Sequence, residues 1–201
     1  MTNYSYLALG DSYTIGEQVP FADNFPNQTV QLLRKSGFSF HAPEIIAQTG
    51  WTTAELLHAI NHTGILETYD VVSLLIGVNN QYRGYSAVEF KKTFENLLQQ
   101  SIRFAGHKPQ QVFVLSIPDW GITPFAEGRN RKQIADEIDT YNSVCVSSAN
   151  QFKTNYINIT EAQRADGNKP EFLTADGLHP SGKAYEKWAV KLTDAILKER
   201  S

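Results

Sequence analysis

Residues 4–16 read Tyr4-Ser5-Tyr6-Leu7-Ala8-Leu9-Gly10-Asp11-Ser12-Tyr13-Thr14-Ile15-Gly16. The apolar run 4–9 has strand character, and it breaks into Gly, Asp and Ser, the residue types that end a strand and turn the chain. Four more runs of this kind follow at 44–47, 71–76, 111–116 and 156–159, each short, apolar and followed by polar or Gly-containing sequence. Between and after them the apolar residues recur at three- and four-residue steps, which predicts helices over 26–36, 53–62, 87–105, 131–153 and 180–198. Several of these have readable starts. Thr52 and Glu55 form a Thr-x-x-Glu capping box, and Pro26 and Pro180 suit the first helical position, where a missing N–H costs nothing.

Strand–helix alternation of this kind predicts a parallel sheet covered on both faces, because right-handed crossovers carry the helices over the sheet. The simplest arrangement is an α/β three-layer α/β/α sandwich, flavodoxin-like, with five parallel strands in the order 2-1-3-4-5. The chain has 201 residues and no internal repeat or linker, so one domain over 1–201 is expected. A domain of that size buries roughly 70% of the surface its unfolded chain exposes and needs no disulfide or metal staple.

The 18 Lys and Arg against 21 Asp and Glu give a formal net charge of −3, which argues against a nucleic-acid binder held by phosphate neutralisation. No apolar run approaches the roughly 18 residues that a membrane span needs. Residues 1–9 show no basic start with an apolar stretch and cleavage site. A soluble protein is expected, cytoplasmic by default, or periplasmic or secreted if a leader has been removed. The single cysteine, Cys145, shares a helical stripe with Ile134, Ile138, Tyr141, Ser148 and Phe152 and is expected to pack. His58 and His62 stand at i and i+4, a spacing that can chelate zinc, but lack a His-Glu-x-x-His glutamate and an evident third ligand; they read as helix-surface residues. Asp136, Glu137 and Asp139 read as a solvated helix face.

In open α/β sheets the functional crevice lies beyond the carboxyl ends of the strands, near the point where strand order reverses. Gly10-Asp11-Ser12 follows the first strand, Gln48-Thr49-Gly50-Trp51 the second and Gly77-Val78-Asn79-Asn80 the third. With strands about 4.8 Å apart, Gly50 and Asn79 would flank Ser12 on opposite sides. A serine attacking an ester creates an oxyanion that needs donors already aimed at it. The backbone N–H groups of Ser12 and Gly50 and the amide of Asn79 are the candidates, with glycine letting a backbone N–H approach a ligand closely. A base is also required, and Asp176-Gly177-Leu178-His179 places a carboxylate three residues before an imidazole in a Gly-containing turn, leaving one ring nitrogen free for the serine proton. The positive end of a helix starting at Pro180 would disfavour imidazolium, and Asp176 would offset it.

With these residues in view, the sequence resembles the SGNH hydrolases, also called GDSL esterases/lipases. Gly10-Asp11-Ser12, Gly50, Gly77-x-Asn79 and Asp176-x-x-His179 are similar to that family's four blocks in order and spacing across nearly the whole chain. The resemblance implies acyl-ester hydrolysis, an oxyanion hole from Ser12, Gly50 and Asn79, catalytic Ser12, Asp176 and His179, a small-molecule ester substrate, and no metal or organic cofactor. Two departures stand out: Tyr13-Thr14 where many members have Leu, and Asn80 where members commonly have Asp. These bear on substrate preference more than on activity. Trp51, Tyr82, Arg83, Trp120 and Phe125 fall in or near segments after strand ends and are candidates for substrate contact. No inserted lid is evident, which suits small acyl groups such as acetyl esters of sugars, or the single chain of a lysophospholipid. Two rivals share the crevice: an acyltransferase using the same acyl-enzyme, and a non-catalytic carbohydrate- or acyl-binding module, whose expected loss of Ser, Asn or His is not seen.

Overall fold

The computed structural model describes residues 3–200; the expectation drawn from the pattern of residues 1–9 thus falls in part, at Met1 and Thr2, outside the described residues. In chain order the main elements are β1 (Tyr6–Gly10), α1 (Ser12–Ile15), α2 (Phe25–Lys35), β2 (Glu44–Ala47), α3 (Thr53–His62), β3 (Val71–Leu75), α4 (Val78–Tyr82), α5 (Ala87–Phe104), β4 (Val112–Leu115), α6 (Arg131–Phe152), β5 (Asn155–Ile157), α7 (Thr160–Asp166) and α8 (Gly182–Arg200). The strands form one sheet in the order β2-β1-β3-β4-β5. Every pairing is parallel, with Leu7 opposite Glu44 and Val72, and Phe113 opposite Ser73 and Asn155.

All residues of β1, β3 and β4 are buried, as expected of parallel strands covered on both faces. Helices α2 and α8 pack together, and α5 packs on both α3 and α6 as a second layer. The side chains of β1 and β3 also meet in the core, where Tyr6 Oη and Ser73 Oγ share a 2.8 Å hydrogen bond. Cys145 is buried on α6 with Ile134, Ile138, Tyr141 and Ser148, in keeping with a packing role, and burial pushes its thiol well above the ordinary range.

The capping box at Thr52 is formed: its N–H donates to the Glu55 carboxylate at 2.7 Å. Two expectations need correction. Pro180 does not open the last helix. It pairs in a bridge with Leu173, the Ser181 N–H donates to Phe172 O, and α8 starts at Gly182. Of Asp136, Glu137 and Asp139, read as one solvated face, Asp136 and Asp139 are exposed, and Glu137 is half-buried. Asp136 pairs with Lys132 at the surface, but Asp139 holds Arg164 at 2.7 Å and Glu137 accepts from Gln81 at 2.7 Å. His58 and His62 are stacked with ring centroids 4.1 Å apart, and no group of three or more potential metal-ligating side chains occurs among the described residues. Among them, too, no helix is long and apolar enough to cross a membrane.

The end of β1 has no room for a side chain at Gly10. A Cβ there would collide with the Leu75 carbonyl of the neighbouring strand and with the Thr14 hydroxyl of α1. Backbone paired on both sides, to Ala47 and Leu75, cannot easily step aside, so Gly10→Ala is expected to cost about 3 kcal/mol in urea unfolding, the upper part of the usual overpacking range.

Candidate active site

The ends of β2, β1 and β3 bring three loops side by side. After β1 the chain turns at once into α1, a helix of four residues, with Ser12 first and Asp11 as its cap, the Asp11 carboxylate accepting from the Tyr13 N–H at 3.0 Å. After β2, Gly50 takes φ +84°, a left-handed conformation that explains its glycine. Space within the protein does not: the nearest heavy atom to a Cβ there would be Arg83 Nη2 at 3.8 Å. After β3, Gly77 leads into α4, which carries Asn79.

Ser12, Gly50, Asn79 and His179 line one cavity of about 170 Å³, whose remaining wall is Tyr13, Thr49, Val78, Tyr82, Trp120, Phe125 and Leu178. The main-chain N–H groups of Ser12 and Gly50 have no acceptor among the described residues, although their neighbours Tyr13 and Trp51 do, in Asp11 Oδ1 and Gln48 O. One N–H of the Asn79 amide donates to Trp51 O at 3.0 Å; the amide carries a second. The Ser12 hydroxyl likewise makes no hydrogen bond with another described residue, the His179 ring included. Such contacts commonly tighten only when substrate arrives.

His179 is 7% exposed and its Nδ1 lies 2.6 Å from Asp176 Oδ2. A carboxylate only accepts, so the ring nitrogen that faces it, Nδ1, carries a proton and donates it. The other Asp176 oxygen accepts from the N–H groups of Leu178 and His179 and from the Thr174 hydroxyl at 2.7–3.0 Å. Burial alone would raise the Asp176 carboxyl, but these donors and the imidazole outweigh it and hold it at about 2. The Asp176 carboxylate therefore stays ionised down to strongly acidic pH. The Tyr13 ring backs the imidazole, with centroids 5.4 Å apart.

Of the five aromatic or basic residues expected near substrate, Tyr82, Trp120 and Phe125 line the cavity, with ring centroids 5.3–6.4 Å apart. Trp51 and Arg83 do not line it and instead bond residues that do. Trp51 gives its carbonyl to Asn79, and Arg83 donates to Gly50 O at 2.6 Å. Asn80 also faces inward. It is 2% exposed and bonds both the N–H and the hydroxyl of Thr53, so its departure from the common Asp bears on loop packing and not on substrate contact.

Sequence reasoning missed the supports of Trp120. Its indole donates to Gln81 at 2.7 Å, and Gln81 donates on to Glu137. Next to it the buried Asp119 carboxylate caps Gly121 and holds Arg164 at 2.8 Å. The polar residues at 119, 137 and 164 were visible in the sequence, but nothing in their spacing pairs them.

The profile of the GDSL-like Lipase/Acylhydrolase family matches residues 8–187. Among solved structures, the chain is similar to TesA (TM-score 0.75, 18% identity, 97% of this chain and 99% of that one). It is also similar to a lipase/acylhydrolase from Enterococcus faecalis (TM-score 0.73, 22% identity, 98% and 95% covered). A third is Axe2, an acetylxylan esterase from Geobacillus stearothermophilus (TM-score 0.71, 20% identity, 98% and 93% covered). At these identities the likeness is one of fold. No curated protein matches the sequence.

Asp11 gives this site a measurable pH signature. Burial pushes its carboxyl from 3.8 up to about 7, against the lowering effect of the Tyr13 N–H and its own. A carboxyl raised on folding contributes stability that is full below its unfolded value and is lost as pH rises through about 7. Asn caps as well as Asp and does not titrate. The melting temperature of Asp11→Asn relative to the parent protein is therefore expected to rise from pH 4 to about pH 7 and to level off above it; a constant difference across that range would remove the buried-carboxyl account.

Proposed function

The chain belongs to the GDSL-like lipase/acylhydrolase family, and from that premise we propose that it is a serine carboxylic-ester hydrolase, one domain over 1–201, acting through a Ser12 acyl-enzyme. The observation that carries this reading is the meeting, in one cavity, of the Ser12 hydroxyl, the His179 ring and two main-chain N–H groups without acceptors. A hydroxyl, a base and preset donors around one small space are the requirements of acyl transfer.

In the proposed reaction His179 Nε2 takes the Ser12 proton as Oγ bonds to the ester carbonyl carbon, and the carbonyl π pair moves onto oxygen. The N–H groups of Ser12 and Gly50 and the amide of Asn79 receive that oxyanion. As it collapses, the bond to the alkoxy oxygen breaks and the imidazolium returns its proton to the departing alcohol. Water then attacks the acyl-enzyme in the same way, with His179 taking its proton, and Ser12 and the free acid are released. Asp176 holds the ring in the tautomer that leaves Nε2 open and offsets the positive charge it acquires.

For substrate we propose a short-chain acyl ester. The cavity is close to the roughly 150 Å³ that holds a benzene-sized apolar group, and its wall is mostly apolar or aromatic. An acetylated carbohydrate is favoured over a lysophospholipid. The exposed rings of Tyr82 and Phe125 at the rim offer faces for a sugar, and the structurally similar Axe2 is an acetylxylan esterase.

Ser12→Ala is expected to remain folded and to lose nearly all turnover of a short p-nitrophenyl ester and all labelling by a fluorophosphonate probe. Retained turnover would falsify the nucleophile assignment, and a parent protein that takes no label would point to a binding module. Asp176→Asn should lower kcat by about 10²–10⁴-fold, because an amide can hold the ring in the wrong tautomer. An unchanged kcat would remove Asp176 from the scheme.

A further inference from the structure

The three loops that bear the proposed oxyanion donors are not joined to one another by backbone hydrogen bonds among the described residues, since the sheet ladder stops before them. Leu9 and Gly10 are the last residues of β1 with ladder partners on β2 and β3, and Gly50 lies beyond the last β2 partner, Ala47. Something else must set the direction of the Gly50 N–H. The Gly50 N–H belongs to the Thr49–Gly50 peptide inside a turn that the Trp51 N–H closes on Gln48 O at 3.2 Å, so its direction follows from how that turn as a whole is held against its neighbours.

Arg83 supplies that hold. It is the residue at the end of α4, and its main-chain N–H donates to Asn79 O at 3.0 Å, while its guanidinium Nη2 donates to Gly50 O at 2.6 Å. The next carbonyl along, Trp51 O, accepts from the Asn79 side chain at 3.0 Å. Two successive carbonyls of the second loop are thus bonded by the two ends of one short helix. The guanidinium is itself steadied by Glu55, whose carboxylate lies 3.3 Å from Nη1 and which also caps α3 through Thr52. A surface ion pair of this exposure adds little stability, so a geometric role accounts for the arrangement better than an energetic one.

We propose that Arg83 is a positioning residue of the oxyanion hole, clamping the Gly50 carbonyl so that the Gly50 N–H and the Asn79 amide converge on one point. The inference rests on the acyl-enzyme reading of Ser12 and goes beyond it. It replaces the substrate-contact role that the sequence position of Arg83 suggests with one exerted through the neighbouring loop. Donors displaced from the oxyanion weaken transition-state binding while leaving ground-state binding of a neutral ester almost untouched, so the loss belongs in kcat.

The test compares kcat and KM for p-nitrophenyl butyrate in the parent protein, Arg83→Met, Arg83→Lys and Ser12→Ala, with melting temperatures alongside. Arg83→Met is expected to lower kcat about 10- to 100-fold, with KM within about threefold of the parent and little change in melting. Arg83→Lys, which keeps a cationic donor, should regain part of the loss. Should Arg83→Met fail to fold, Arg83→Gln, too short to reach the carbonyl, takes its place with the same expectation. Parental kcat in the Met or Gln variant, or a defect carried by KM alone, overturns the positioning role. Active Ser12→Ala would instead overturn the acyl-enzyme reading, whatever Arg83 does.

Discussion

A main-chain N–H removed from bulk water normally finds an acceptor, because leaving it unpaired costs free energy comparable to a lost hydrogen bond. At the ends of β1 and β2 two main-chain N–H groups, on the buried Ser12 and the half-buried Gly50, have no acceptor among the described residues, and both residues line one cavity. Much of the surrounding structure can be understood as keeping them so. Gly10 lets α1 fold back tightly over the strand end, Asp11 takes the Tyr13 N–H and leaves that of Ser12, and the Gln48–Trp51 turn takes the N–H beside Gly50. Parallel strand order does the rest, because β1 lies between β2 and β3 and their carboxyl ends open on one side.

Two aspartates show how environment divides labour between identical side chains. Asp11 is almost fully buried with few donors, so desolvation dominates and its carboxyl rises to about 7. Asp176 also loses solvation, but its two oxygens collect the imidazole, two main-chain N–H groups and a hydroxyl, and it falls to about 2. The second can face an imidazole as a fixed negative charge throughout the pH range in which an imidazole serves as a base. The first is a cap whose charge is costly. The stability that Asp176 contributes is present above its ordinary value of 3.8 and is lost only as pH falls toward 2.

What could be read from the sequence was whatever leaves a periodic or local trace. Buried parallel strands appear as short apolar runs, and helices as three- and four-residue steps, so the sheet order and the helix layers follow. Thr52 and Glu55 announce a helix start within four residues. The last helix was misplaced at Pro180 because proline is equally at home in a bridge, and only the pairing with Leu173 tells the two apart. The functional blocks were legible because they sit at strand ends, but the residues that support them were not. Arg83 and Gly50 are 33 positions apart, Gln81 and Glu137 56, Arg164 and Asp119 45. Hydrogen bonds over such separations depend on the folded backbone and leave no pattern along the chain. For the same reason nothing along the chain shows that Arg83 bonds the Gly50 carbonyl or that Trp51 gives its carbonyl to Asn79, and Glu137 read as a solvated charge when it ends the chain that fixes Trp120.

The account stands or falls on whether one oxygen can be received by all three donors while Ser12 is bonded to the adjacent centre. The direct measurement is a crystal structure of the protein after reaction with a fluorophosphonate, whose tetrahedral phosphorus stands in for the carbonyl carbon in the transition state. The expected result is phosphorus bonded to Ser12 Oγ with one free oxygen about 2.7–3.1 Å from the N–H groups of Ser12 and Gly50 and from Asn79 Nδ2. An adduct on another residue, or a phosphoryl oxygen turned away from Gly50 and Asn79, would contradict it.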